Sequence, residues 1–138
     1  MSVDKAFVDT NILIYAVDRH AGAKRTRALE LLIELGSSVV ISTQVIEEFF
    51  ATATRKLPLR LSHDEAVRRV DELARVDVVV VDVPLIRSAI VLTQEHRLSF
   101  WDALIVEAAR AGCCARLLTE DLTHGREFGR LRVENPFA

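Results

Sequence analysis

The 138-residue sequence is poor in cysteine, and its two cysteines, Cys113 and Cys114, are adjacent. Neighbouring cysteines seldom reach the geometry of an unstrained disulfide, and no Cys or His spacing in the chain is typical of a zinc site. We therefore expect two small buried side chains in a reducing compartment. Neither a disulfide-stapled fold nor a structural zinc domain is expected.

The chain also lacks a long hydrophobic run, because Asp82 and Arg87 interrupt the longest candidates. Spanning a bilayer takes roughly 20 consecutive apolar residues, so we expect no membrane segment. Residues 1–5 do not have the charged-then-apolar layout of a secretory signal. These absences predict a soluble cytoplasmic protein.

Neither sign of charge dominates, since 18 basic side chains stand against 20 acidic ones for a net charge of −2. This balance argues against a dedicated basic nucleic-acid-binding module, but not against an enzyme that acts on nucleic acid through a local site. Lysine is scarce: apart from Lys5, Lys24 and Lys56, the basic residues are all arginine. Guanidinium groups suit planar, bidentate contacts with carboxylate or phosphate.

Half of the residues are apolar, which is enough to build a core, and the length fits one domain. Because no repeat or Pro/Gly/Ser-rich linker divides the chain, we predict a single domain over residues 1–138. Short apolar runs alternate with stretches of helical period, and we expect strands at residues 6–8, 39–41, 78–81, 117–118 and 131–133. This order predicts an α/β three-layer sandwich around a mostly parallel sheet of about five strands. Continuous β-branched runs such as 78–81 are typical of strands buried on both faces.

Acidic side chains lie where such a sheet binds its ligands, beyond the carboxyl ends of the strands. Asp9 follows the first strand, Glu47 and Glu48 lie in the helix after the second, Asp102 opens the helix before the fourth, and Asp121 follows the fourth. Carboxylates held together repel and rise in pKa, and a divalent cation relieves the repulsion. An all-oxygen set of ligands suits Mg²⁺ or Mn²⁺ rather than zinc. Such a site favours phosphodiester hydrolysis by metal-activated water.

Each of these carboxylates also has a structural interpretation. Asp9 could cap the helix that begins near residue 11. Asp121 could be a turn residue before Leu122, and Glu47 and Glu48 could belong to a solvated helix face. Ser99-x-x-Asp102 has the form of a capping box, and so has the sequence at 62–65. The shared location of the acidic residues, rather than any one of them, favours the metal site.

Four ordered motifs in the chain resemble those of the PIN-domain family. They are FVDTNIL at 7–13, STQVIEEF at 42–49, SFWDA at 99–103 and LTEDL at 118–122. The C-terminal segment 124–137 is similar to one branch of the family, the VapC-type toxins of bacterial toxin–antitoxin pairs. The resemblance covers essentially the whole chain.

This resemblance implies a small, metal-dependent endoribonuclease with four catalytic carboxylates: Asp9, Glu48, Asp102 and Asp121. Asp9 and Asp102 would be the main ligands of Mg²⁺ or Mn²⁺, and the other two would hold the metal's waters or a second ion. We prefer Glu48 to Glu47 because it directly precedes Phe49, as in the family motif. Attack of an activated water in line with the scissile bond would leave a 5′-phosphate and a 3′-hydroxyl.

Other polar residues are candidates for supporting roles at this site. Thr10, Asn11 and Thr119 could position water or a phosphate oxygen. Glu120 could be an extra ligand, although in an extended segment it points opposite to Asp121.

The resemblance also implies three partners: an RNA substrate, a small cognate antitoxin that blocks the site, and a second copy of the chain in a homodimer. Ile46, Phe49 and Phe50 are a candidate docking surface.

The segment 19–27 is the densest basic patch and either contacts RNA phosphate or forms a solvated helix face. Further basic candidates for RNA contact are Arg55, Lys56, Arg97, Arg126, Arg130 and Arg132. Trp101 could stack on a base, but we expect a buried core aromatic.

Three alternatives stay open at this point. An aspartyl phosphotransferase of the haloacid-dehalogenase type would also carry an Asp after its first strand, but it needs a second Asp where this chain has Asn11, and a suitably placed Lys. A housekeeping ribonuclease with no antitoxin would share the same motifs. A non-catalytic RNA- or protein-binding module would have kept the fold and lost turnover.

Overall fold

The structure is a computed structural model that describes residues 4–56 and 59–138. Its strands form a six-stranded sheet in the order β3-β2-β1-β4-β6-β5. The strands are β1 Ala6–Val8, β2 Val39–Ser42, β3 Asp77–Val79, β4 Arg116–Leu118, β5 Glu127–Phe128 and β6 Leu131–Glu134. All neighbours are parallel except β5, which pairs antiparallel with β6.

Six α-helices connect the strands. They are α1 Thr10–Val17, α2 Ala23–Leu35, α3 Thr43–Arg55, α4 His63–Leu73, α5 Val83–Glu95 and α6 Phe100–Ala111, with a short 3₁₀ turn at Gly36–Ser38. Helix α1 packs against α2 and α3, α3 packs against α4, and α5 packs against α6. The predicted α/β fold around a mostly parallel sheet is confirmed.

The core covers both faces of the central strands. All three residues of β1 are buried, and so are Leu117 and Leu118 in the neighbouring β4. Successive residues of a strand point to opposite faces, so this pattern requires a layer of helices on each side. Burying a side chain such as Phe7, which is fully enclosed, stabilises the fold by roughly 1.5–3 kcal/mol.

Short polar side chains begin several helices by accepting hydrogen bonds from backbone N–H groups that have no partner inside the helix. The Ser62 hydroxyl accepts from the Glu65 N–H at 3.2 Å and donates to the Glu65 carboxylate at 3.3 Å. The Ser99 hydroxyl accepts from the Asp102 N–H at 3.1 Å. Both sequences that have the form of a capping box therefore begin helices, α4 and α6.

The described sheet has six strands where about five were expected, and the additional strand β5 has only two residues, too few to show periodicity in the sequence. One expectation about the strands was wrong. The run 78–81 is not buried on both faces. Strand β3 ends at Val79 and pairs only with β2 at the edge of the sheet, and Val80 beyond it is 64% exposed.

The expectation about the cysteines holds for one of them. Both are free thiols, and Cys114 is buried as expected, but Cys113 is exposed. Cys113 lies in the turn after α6 with φ of +57°, a conformation that side chains rarely adopt outside tight turns. Within the described ranges, no helix combines the length and the apolar character that a membrane span requires.

Candidate active site

Asp9 lies directly after β1 and caps the start of α1. It is only 6% exposed, and both of its carboxylate oxygens accept hydrogen bonds: Oδ1 from the Thr10 N–H at 2.7 Å and Oδ2 from the Thr119 hydroxyl at 2.7 Å. Burial raises the pKa of Asp9 to about 6; the two hydrogen bonds oppose this shift, and the charges of Asp121 and Glu48 add to it. A poorly solvated acidic group therefore lies at the carboxyl end of a central strand.

Thr119 follows β4, the strand beside β1, and its fully buried hydroxyl joins three polar groups. It donates to Asp9, and it accepts from the Asp121 N–H at 3.1 Å and from the Asn11 side-chain Nδ2 at 3.4 Å. Asn11 Nδ2 also donates to Asp121 Oδ2 at 3.1 Å. Partial burial raises the pKa of the Asp121 carboxylate, against the hydrogen bond from Asn11. One hydroxyl thus links the acidic residues that follow β1 and β4.

Glu48 reaches the same place from α3. Its Oε1 accepts a hydrogen bond from the Thr10 hydroxyl at 3.2 Å. Burial raises the pKa of Glu48, and the charges of neighbouring carboxylates add to the shift. Glu47 instead lines an apolar groove together with Ile46 and Phe50. Of the two adjacent glutamates, the structure places Glu48 at the site and Glu47 outside it.

Asp102 enters from the first turn of α6. The Ser99 hydroxyl accepts a hydrogen bond from the Asp102 N–H. The Asp102 carboxylate accepts none from the Ser99 hydroxyl, whereas the Glu65 carboxylate accepts one from the Ser62 hydroxyl at the start of α4. Among the described residues its carboxylate has no hydrogen-bond partner, and its charge raises the pKa of both Glu48 and Asp121. The carboxylate of Asp102 is therefore close enough to interact with Glu48 and Asp121, and no described residue holds it by a hydrogen bond.

Trp101, next to Asp102, is 64% exposed, so the expectation of a buried core aromatic was wrong. Its neighbour Phe100 is half-buried, and the two rings meet edge to face with centroids 5.3 Å apart. The Trp101 backbone carbonyl accepts from Gln44 Nε2 at 3.4 Å. An indole ring therefore faces solvent beside one of the acidic residues.

The Glu120 carboxylate binds two residues outside the group of four acidic side chains. Its carboxylate accepts from the Tyr15 hydroxyl and pairs with Lys24, whose Nζ lies 2.9 Å from Glu120 Oε2. Partial burial raises its pKa, but the hydrogen bonds from Tyr15 and Lys24 outweigh that effect and leave the pKa below its usual value. The side chains of Glu120 and Asp121 go to different partners as expected, although the two residues lie in a bend and not in an extended segment.

A cleft of about 260 Å³ opens beside these groups, lined among others by Asn11, Tyr15, Glu48, Lys56 and Asp121. Sequence reasoning assigned no role to Tyr15. A signal for it exists in the helical period, because residues four apart lie on one face of a helix and Tyr15 follows Asn11 by four. Gln44 precedes Glu48 by the same spacing, and its buried Oε1 has no hydrogen-bond partner among the described residues.

The four acidic residues fit a hard divalent cation in chemistry and charge. No Lys or Arg among the described residues forms an ion pair with any of them, and the buried Asn11 Oδ1 also has no partner there. The described side chains do not gather three or more acidic, His or Cys groups at coordinating distance. Mg²⁺ keeps several waters and binds protein through one or two carboxylates, so a Mg²⁺ site does not require three side chains at coordinating distance.

The chain belongs to the PIN domain family, whose model matches residues 6–126. That span contains all four motifs and every acidic residue of the site. None of the curated protein sequences compared with this chain matches it.

Solved structures of toxin–antitoxin systems share the fold. A toxin–antitoxin complex from Klebsiella pneumoniae is 23% identical, with 96% of this chain and 98% of that chain covered and a TM-score of 0.72. VapC20 from Mycobacterium tuberculosis, described as a toxin that cleaves the sarcin-ricin loop, is 24% identical over 82% of this chain and 87% of its own, with a TM-score of 0.66. DNA-bound VapBC from Salmonella typhimurium is 18% identical over 97% and 99%, with a TM-score of 0.69.

Proposed function

We propose that this protein is a metal-dependent endoribonuclease of the VapC type, the toxin of a toxin–antitoxin pair. The observation that carries the proposal is Asp9, a buried carboxylate with a raised pKa at the end of a central strand. Three further carboxylates act on it or on each other electrostatically, and no cation among the described residues neutralises them. The motif resemblance and the toxins of the same fold support RNA as the substrate.

Asp9 and Asp102 would be the main ligands of Mg²⁺ or Mn²⁺, with Glu48 and Asp121 beside them. A bound divalent ion supplies positive charge that polarises a phosphoryl oxygen and lowers the pKa of a water molecule. A bound cation would offset the repulsion among the carboxylates, which adds to the effect of burial in raising the pKa values of Asp9, Glu48 and Asp121.

The neutral polar residues hold the carboxylates in place. Thr119 fixes Asp9, Asn11 fixes Asp121, and the Thr10 hydroxyl fixes Glu48, each by a hydrogen bond. Carboxylates held in this way would already be in position to bind the ion, so they would not need to reorganise during the reaction. Thr10, Asn11 and Thr119 are therefore proposed as positioning residues.

The proposed protein partners are a cognate antitoxin and a second copy of the chain. The candidate docking surface is smaller than the sequence suggested, because Phe49 is 1% exposed and belongs to the core. Ile46 and Phe50 are half-buried and line an apolar groove of about 480 Å³ with Val67 and Val70. This groove between α3 and α4 is the surface we propose for the antitoxin.

The decisive experiment is cleavage of a structured RNA by metal-stripped protein to which Mg²⁺, Mn²⁺ or a chelator is added. We expect cleavage with either ion, none with chelator, and none with Asp9→Asn, whose fold should remain intact. Full, chelator-sensitive cleavage by Asp9→Asn would overturn the assignment. Absence of cleavage by both proteins would favour a non-catalytic binding module.

The chain offers a matched control in its adjacent glutamates. Glu48→Gln should lower the rate of cleavage by about 10- to 100-fold, since losing a side chain that supports a metal centre typically costs that much. Glu47→Gln removes the same charge one residue away and should leave the rate within about twofold. Equal effects of the two substitutions would show that net charge, and not the site, controls cleavage.

A further inference from the structure

We propose that a second, arginine-lined cleft binds backbone phosphates of the RNA, so that the substrate extends from the carboxylates across the ends of α1 and α3. The proposal rests on the proposed function, because it names a second contact of the same substrate. The cleft has a volume of about 350 Å³. Four guanidinium groups line it: those of Arg19, Arg25, Arg60 and Arg69.

These arginines come from separate parts of the chain. Arg19 follows α1, Arg25 lies in the first turn of α2, Arg60 precedes α4, and Arg69 lies within α4. Four of the fifteen arginines of the chain therefore converge on one concave surface. Planar guanidinium groups with several N–H donors suit the paired oxygens of a phosphate diester.

The positive charge in this cleft is largely uncompensated. Arg19, Arg25 and Arg60 are exposed and form no ion pair or side-chain hydrogen bond with the described residues, whereas Arg69 Nη1 lies 3.4 Å from Glu72 Oε2. Among the described residues that line the cleft, Glu65 is the single acidic one, and its carboxylate accepts from the Ser62 hydroxyl. An anionic ligand would relieve repulsion among the guanidinium groups.

The position of Arg60 is held by the backbone. Its φ is +27°, outside the usual range of a residue with a side chain. Its N–H donates to the Lys56 carbonyl at 2.7 Å, and the next N–H, that of Leu61, donates to the Ala53 carbonyl at 2.7 Å. The end of α3 thus fixes the segment that carries Arg60, and this wall of the cleft is preformed.

The arginine cleft and the acidic cleft both border α1 and the segment after α3. Asn11 and Tyr15 of α1 and Lys56 after α3 line the acidic one, and Val17 and Arg60 line the other. From Asn11 to Val17 the axis of α1 rises about 9 Å, and the two residues lie about 120° apart around the helix. An RNA strand that contacts both clefts would therefore pass around the C-terminal end of α1.

The basic residues of the segment 19–27 have different surroundings in the structure. Arg19 and Arg25 face the arginine cleft, while Lys24 is bound to Glu120 and Tyr15. Arg27 donates to the Pro136 carbonyl at 3.4 Å. Only part of that patch is therefore available to a ligand, and that part is completed by residues 60 and 69.

The test measures binding of a labelled twelve-nucleotide oligouridylate by Asp9→Asn protein, which should not cleave it. Replacing Arg19, Arg25 and Arg60 with Gln in this background should weaken binding at least about tenfold. The dependence of log K on log salt should become shallower by about 0.7 for each phosphate that the variant no longer binds. In otherwise wild-type protein, the same triple substitution should raise KM for long RNA and leave kcat within about twofold.

A matched control removes the same charge elsewhere. Arg68, Arg75 and Arg87 are exposed and line neither cleft, so their triple replacement with Gln should change affinity less than about twofold. Equal weakening of binding in both triple variants would overturn the proposal and leave only an effect of net charge.

Two further outcomes separate this proposal from the proposed function. Cleavage that requires Asp9 together with unchanged RNA affinity in the Arg19/Arg25/Arg60 variant would overturn the phosphate cleft alone. If the variant keeps its RNA affinity but no longer binds an oligoglutamate peptide, the cleft belongs to an acidic protein segment and the proposal is wrong. Thermal unfolding of the variant, expected to match the parent, shows that the fold is intact.

Discussion

The side chain of Asp9 is enclosed by Thr10 and Thr119, and its burial makes the stability of the protein depend on pH. The pKa is raised from 3.8 to about 6 in the folded chain, so the native state binds more protons than the unfolded state between these values. The unfolding free energy of the metal-free protein should therefore fall as pH rises between these two pKa values, and the loss should be complete above the higher one. A shift of about 2 units corresponds to about 3 kcal/mol as an upper value.

Asp9→Asn should reverse this effect. Because the amide carries no charge, we expect metal-stripped Asp9→Asn to gain about 1–3 kcal/mol in unfolding free energy at about pH 7.5. The gain should nearly vanish at about pH 4, where the native carboxyl is protonated. Urea denaturation at both pH values checks this. An effect of equal size at both would mean that altered hydrogen bonding, not the charge, controls stability.

Trp101 shows where sequence reasoning fails at the scale of single residues. Phe100 and Trp101 both begin α6, and adjacent residues differ by about 100° around a helix. Hydrophobicity alone predicts that the larger ring is buried. The structure instead half-buries Phe100 and exposes Trp101, because the orientation of α6 against the rest of the molecule decides which ring faces inward.

At the scale of elements, α4 and α6 begin with the same type of cap but differ in what the cap holds. Ser99 accepts from the N–H of Asp102, an acidic residue of the site, whereas Ser62 accepts from that of Glu65, which lies outside it. Replacing either serine with Ala should lower the unfolding free energy by about 1 kcal/mol. The two substitutions should differ in function.

We expect Ser99→Ala to slow RNA cleavage by about tenfold, because fraying of the first turn of α6 would move Asp102, and small displacements of positioning groups have large effects on rate. Ser62→Ala should leave cleavage within about twofold. Chemical denaturation confirms that both lose comparable stability, and initial rates at saturating metal give the comparison. The same rate for both variants would contradict a role for the α6 cap in positioning Asp102.

At the scale of the whole molecule, the strand order places β1 and β4 inside the sheet and leaves β3 and β5 at its edges. Amides in β1 and β2, in which every residue is buried, should exchange with solvent only through global unfolding. Those of β3 and β5 should exchange at least about tenfold faster. Hydrogen exchange followed by NMR checks this order. Slow exchange across all six strands would indicate that the edges are covered in solution.

The same topology explains why the sequence allowed us to predict that the carboxylates of the site lie near one another. Parallel strands β1 and β4 are neighbours, so the residues that follow them, Asp9 and Asp121, meet at one edge of the sheet. Membership of the PIN domain family follows from motifs that are contiguous in sequence. The strand order does not decide whether Glu47 or Glu48 reaches the site. That depends on a contact between Thr10 and Glu48 of α3, which are 38 residues apart in sequence.

The sequence by itself determined the α/β order of elements, the helix caps and the placement of acidic residues after strands. These features depend on the local period, on short-range hydrogen bonds and on the alternation of buried runs. Only the tertiary structure decided that Glu120 pairs with Lys24, that Phe49 lies in the core, and that four arginines share one cleft. Each of these outcomes depends on side chains that are distant in sequence and adjacent only after the helices pack on the sheet.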